Sequence, residues 1–170
     1  MGLEGVETIL EVQDRCDVEI SDEEVAGLRT VGQLSDLVVS LLPRPTSDLC
    51  VTRHVFFRLR AALPDSSQLG PRDDVPLPDA RRDRRRLWTE LEESTGLRLP
   101  HPGLFGPKPT SLSELTRSMV SLTLGQLAQD PGAWSENDVW ESVKDSVILV
   151  SGVEPALVTR DARFVEDLGC

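Results

Sequence analysis

The sequence predicts an all-α fold. Apolar residues recur at three- and four-residue spacing along most of the chain, as in helices that bury one face. Four helix starts pair a Ser or Thr with an acid or Gln three residues on: Ser21/Glu24, Thr30/Gln33, Ser111/Glu114 and Ser135/Asp138. No segment alternates apolar and polar residues convincingly enough to read as a strand.

The elements follow in order. Residues 3–15 read as a helix, with Val6, Ile9 and Leu10 on one face. Residues 17–20 form an extended link. Ser21 opens a short helix, and Thr30 opens another that stripes Val31, Leu34, Leu37, Val38 and Leu41 before Pro43 and Pro45 stop it. A helix over 52–63 places Val55, Leu59 and Leu63 on one face and ends at Pro64. Residues 64–80, rich in Pro, Asp, Ser and Gly, read as a long loop. Asp79 is positioned to cap a helix over 81–94, with Leu87, Trp88 and Leu91 inward and Gly96 as C-terminal cap. A Pro/Gly loop spans 100–110, and Ser111 then starts a helix with Leu112, Leu115, Met119 and Leu122 on its stripe. Residues 128–134 read as a linker. Ser135 begins a helix carrying Val139, Val143, Val147 and Val150, and Gly152 ends it. Residues 154–170 read as a loop with at most one helical turn.

Length and composition narrow the function classes. The 170 residues suffice for one mid-sized domain or two small ones. Tyr is absent and aromatics make up 4%, so Leu, Val and Ile must supply the cores. No apolar run reaches the roughly 18 residues of a membrane span. The opening Met1-Gly2-Leu3-Glu4 lacks the pattern of a signal peptide, and Val6 stands where a myristoylation motif requires Ser or Thr. Cys16, Cys50 and Cys170 are widely spaced and there are two His, so no metal site is expected and the expected compartment is the reducing cytoplasm. No Ser/His/Asp or Cys/His set stands out, and no carboxylate pair is visibly oriented, so the chain does not read as an enzyme.

Charge is uneven. The net −11 divides into −8 over residues 1–50, +2 over 51–134 and −5 over 135–170. The two acidic ends resemble each other, which suggests one module split between them. An acidic surface disfavours nucleic acid and favours basic protein surfaces as partners.

Motifs at the two ends complement each other. The stretch Asp17-Val18-Glu19-Ile20-Ser21-Asp22-Glu23-Glu24, followed by Leu28-Arg29-Thr30-Val31-Gly32-Gln33, resembles the second half of an acyl carrier protein: helix II, an acidic link, helix III and the start of helix IV. Residues 135–170 resemble that family's first half, ending in Phe164-Val165-Glu166-Asp167-Leu168-Gly169, which in the family immediately precedes the Asp-Ser-Leu modification motif. Joined tail to head, the ends align with this motif without a gap. Met1 then replaces its Asp, Gly2 replaces the Ser that accepts 4'-phosphopantetheine, and Leu3, Val6 and Glu7 match. Residues 52–127 resemble a second, more divergent member, with Gly96-Leu97-Arg98-Leu99-Pro100 in place of the acidic link and Arg81 at the attachment position.

The expected architecture is two small carrier-like helical bundles. One is formed from 1–44 plus 135–170 and the other from 51–127, with 128–134 between them. The split bundle is compatible with a chain closing on itself, a swapped homodimer, or a fragment of a tandem array. The predicted contact is Val139, Val143 and Val147 against Val6, Leu34 and Val38.

In the family the Ser hydroxyl becomes the phosphodiester that carries an acyl thioester arm. Gly2 and Arg81 have no such hydroxyl, so no cofactor is expected, and Ser35 and Ser113 are poor substitutes inside later helices. Cys170 reads as a free thiol. The resemblance implies a partner-docking face at Glu7, Glu11, Asp14, Glu23 and Glu24, toward basic surfaces such as those of fatty-acid or polyketide enzymes; ordinary solvation is the plain alternative. Arg82, Arg84 and Arg85, in the run Arg81–Arg86, are candidates for anion binding, for docking the acidic ends of this same protein, or for a solvated face. The leading expectation is therefore a non-enzymatic, carrier-like interaction module without phosphopantetheine. The alternatives are a working carrier modified elsewhere or in a longer parent, and a regulatory anion-binding module.

Overall fold

A computed structural model describes residues 2–63, 68–78, 80–100 and 111–169. Met1, Asp79, His101, Cys170 and the side chain of Arg81 lie outside the described part. The fold is all-α. Among the described residues there are eight helices and no strand: α1 Leu3–Cys16, α2 Asp22–Gly27, α3 Val31–Leu41, α4 Val51–Ala62, α5 Arg81–Thr95, α6 Leu112–Leu122, α7 Leu124–Gln129 and α8 Glu136–Ser151. The chain divides into two units, Met1–Asp48 with Leu124–Cys170, and Leu49–Thr123.

The first unit is built from both ends of the chain. Its core takes Ile9, Val12 and Cys16 from α1, Val31, Leu34 and Val38 from α3, and Val139, Val143 and Val147 from α8. Each fully buried Val contributes about 1.5–3 kcal/mol of transfer free energy. The expected partner Val6 is not among them: it is 49% exposed, because α1 turns Gly5, Thr8, Ile9, Val12 and Cys16 inward instead. Periodicity alone could not choose between these faces, since both carry aliphatic residues.

The loop after α8 belongs to this core. Val158, Ala162, Phe164 and Leu168 are buried. Its carbonyls satisfy the first amides of α3, which have no partner within their own helix: Val31 N–H donates to Ala162 O at 3.0 Å and Gly32 N–H to Arg160 O at 2.8 Å. Phe164 N–H returns a bond to Arg29 O at 3.1 Å. Gly32 allows the close approach, since a Cβ there would lie 2.7 Å from Arg160 O. The Arg160 guanidinium also pairs with Asp36 and lies 5.3 Å from the Trp140 ring centre.

The expected linker is instead packed structure. Helix α7 covers most of its approach, with Leu124 and Ala128 in the core of the first unit. Ala133 is buried, Thr46 N–H donates to Gly132 O at 2.8 Å, and Trp134 Nε1 donates to Pro43 O at 2.8 Å. Gly125 lets α7 approach the end of α1, since a Cβ there would fall inside van der Waals contact of the Cys16 carbonyl. Asp17, in the left-handed conformation at φ 51°, caps α1, and its carboxylate accepts from Gln129 Nε2 at 2.6 Å.

The second unit packs α4 against α5 and α6. Val55, Leu59, Leu91, Leu99, Leu112, Leu115 and Met119 are buried, and Trp88 donates to Pro100 O at 2.9 Å. It repeats the fastening of the first unit. Leu112 N–H donates to Asp73 O at 3.0 Å and Ser113 N–H to Pro71 O at 2.9 Å, so the loop after α4 satisfies the start of α6. In each unit the helix fastened this way opens with a capping box, Thr30/Gln33 or Ser111/Glu114.

Candidate functional site

The outer face of α1 holds the strongest candidate site. With its inner side buried, α1 presents Leu3, Val6 and Leu10, 71%, 49% and 57% exposed, along one stripe at helical spacing. Glu7 and Asp14 are exposed on the same side of the helix. An aliphatic strip edged by carboxylates suits a partner that offers an apolar groove bordered by Lys or Arg.

The five acidic candidates do not share one role. Glu7, Asp14 and Glu23 are exposed. Glu11 is half-buried and accepts from the buried Arg15 Nε at 2.7 Å. Glu24 closes the α2 capping box, accepting from Ser21 N–H at 2.8 Å and Ser21 Oγ at 2.7 Å. The backbone bond, then the hydroxyl bond, hold its carboxyl below the ordinary range. The link before α2 is anchored to α1 by Ile20 N–H donating to Gln13 Oε1 at 2.7 Å.

The expected attachment positions fall at helix starts. Gly2 is the exposed N-cap of α1 and makes no side-chain cap bond. Residue 81 is the first residue of α5, whose N-cap is Ala80. Ser35 is buried and its hydroxyl has no hydrogen-bond partner, while Ser113 Oγ lies 3.1 Å from Ser111 Oγ. Cys16 is buried, 3.9 Å from Ser142 Oγ. Burial pushes its thiol up to about 11, against the smaller opposing effects of Ser142 and Arg15.

Sequence reasoning missed the exact arginine face of α5. Arg82, Arg85, Arg86 and Thr89 line an open cavity of about 670 Å³. Their spacing of three and four residues puts them on one side of the helix, opposite the buried Leu87, Trp88 and Leu91. Arg84 is half-buried and is not among the described lining residues. Arg86 also pairs with Glu90 at 2.7 Å. That periodicity was readable in the sequence, but the cavity was not.

Among the described residues no group of His, Cys, Asp or Glu could hold a metal ion, and no helix is long and apolar enough to cross a membrane. The chain matches no family model, no curated protein and no solved structure.

Proposed function

We propose that the protein is a carrier-like interaction module that acts by docking and carries no phosphopantetheine. The observation that carries this reading is the outer face of α1: an exposed Leu3, Val6, Leu10 strip beside Glu7 and Asp14, with Gly2 at the N-cap. A glycine has no hydroxyl to form a phosphodiester. Exposed aliphatic side chains beside carboxylates gain free energy when an apolar, basic surface covers them. The shared fastening of α3 by the loop after α8 and of α6 by the loop after α4 supports two bundles of one plan.

Two experiments test the reading. Incubation with coenzyme A and a phosphopantetheinyl transferase should leave the intact mass unchanged, whereas a tagged Met1→Asp/Gly2→Ser chain should gain one phosphopantetheine. Gain by the unaltered chain overturns the cofactor-free reading, and no gain by the double variant removes the carrier likeness. A helical peptide with Leu on one face and Lys along its edges should bind, and Val6→Asp or Glu7→Lys should weaken it about tenfold or more, equivalent to about 1.4 kcal/mol. Equal binding by both variants places docking elsewhere.

A further inference from the structure

The two units carry opposite charge. The first holds 20 acidic and 6 basic residues, net −14, and the second 9 acidic and 12 basic, net +3. Each also exposes a helix face of opposite charge. On α1 it is the Leu3, Val6, Leu10 strip with Glu7 and Asp14. On α5 it is the cavity of about 670 Å³ lined by Arg82, Arg85, Arg86 and Thr89. On this open face guanidinium groups can meet the carboxylates of α1 while the arginine methylene stems lie along its aliphatic strip.

We propose that the arginine-lined cavity of α5 docks the outer face of α1 from a second copy of this chain. The inference rests on reading α1 as a docking face and names one occupant for it. Both complementary faces are present on every copy, so each is always at the concentration of the other. The contact joins unlike faces, so association either closes, reciprocally in a two-fold dimer or around a larger ring, or extends. Copies with net charge −11 also repel at long range. At about 0.15 M salt the Debye length is ~8 Å, which screens that repulsion while leaving contact pairs effective; at about 1 M it is ~3 Å and the ionic part of the contact weakens. A foreign basic partner on α1 would compete with this self-contact, making assembly a brake on docking.

Sedimentation equilibrium of charge-swapped chains tests the proposal. At about 0.15 M salt the unaltered chain should rise above its 18.7 kDa mass with increasing concentration. Glu7→Arg/Asp14→Arg and Arg82→Glu/Arg85→Glu chains should each remain at that mass, because in each the two faces carry like charge. Mixing them should restore association, since every face then meets its opposite. All four sites are on the surface, and circular dichroism verifies that the variants fold. A monomeric unaltered chain, association that persists in both variants, or a mixture that stays monomeric overturns the proposal. Tripolyphosphate binding that is lost in Arg82→Glu/Arg85→Glu, without any self-association, assigns the cavity to small anions and also overturns it. If the Lys-edged peptide still binds α1 in those cases, the docking reading survives and only the self-contact fails.

Discussion

Replacing Phe164 with Ala tests whether the loop after α8 is part of the core. Phe164 is 2% exposed, while its neighbour Val165 is 60% exposed. Truncating a buried Phe costs about 3–5 kcal/mol. The lower figure applies here, because a loop relaxes into the vacated space more readily than a helix does. For a unit of this size each kcal/mol moves the midpoint by about 4–8 °C, so about 3 kcal/mol lowers the melting temperature by about 12–24 °C. Val165→Ala, a surface change, should stay within about 0.5 kcal/mol. Calorimetry gives the midpoints, and amide exchange locates the effect. The Val31 and Gly32 amides, which donate to Ala162 and Arg160, should lose protection in Phe164→Ala and keep it in Val165→Ala. Equal midpoint shifts in the two variants, or unchanged protection at Val31 and Gly32, would refute the loop's structural role.

Three further outcomes follow from the geometry. Gly125→Ala should destabilise the first unit despite the helix propensity of Ala, an intrinsic gain of about 1 kcal/mol, because the new methyl meets the Cys16 carbonyl; a raised midpoint would contradict this. The α2 capping box should weaken in acid. The Glu24 carboxyl lies below its ordinary value, so its stabilisation is complete above the unfolded carboxyl range and is lost as pH falls through the depressed folded value; the Glu24 amide shift followed by NMR against pH shows this, and Ser21→Ala, which removes the hydroxyl bond and leaves the backbone one, should lessen the depression. In a Cys50→Ser/Cys170→Ser chain, Cys16 should not react with a disulfide reagent at pH 8 until the protein unfolds. With its folded value near 11 against an ordinary value of 9.0, the thiol should also make the fold less stable as pH rises above about 9, where the unfolded chain ionises first; a fall that begins well below that pH would contradict this assignment.

Local chemistry was the legible part of the fold. Ser21, Thr30, Ser111 and Ser135 announce their helices because a hydroxyl and an acid or amide three residues apart satisfy opposing amides, which depends only on the adjacent chain. Gly96 and Gly152 mark helix ends for the same reason, each adopting a left-handed conformation. The stripe on α8 was legible because Val139, Val143 and Val147 share one face. Tertiary choices were not. Helix α1 has aliphatic residues on two sides, and only the approach of α7 and α8 decides that Ile9 and Val12 turn inward while Val6 and Leu10 turn outward. Helix α7 has six residues and includes a glycine, too short for periodicity to register, and packing rather than propensity holds it. At the candidate site the acids were readable, but not that Glu11 and Glu24 already serve Arg15 and Ser21.

The split construction of the first unit also sets an order of events during synthesis. Residues Leu49–Thr123 form a unit from contiguous chain and can complete it as they emerge. Helices α1 and α3 cannot, because the valines that cover Leu34 and Val38 lie on α8 and the carbonyls that satisfy α3 follow it. At about 5–20 residues per second, the roughly 110 residues between the ends of α3 and α8 keep that surface uncovered for roughly 5–20 s. During this interval the nascent chain exposes Ile9, Val12, Leu34 and Val38 together, a target for chaperones that the finished protein no longer presents.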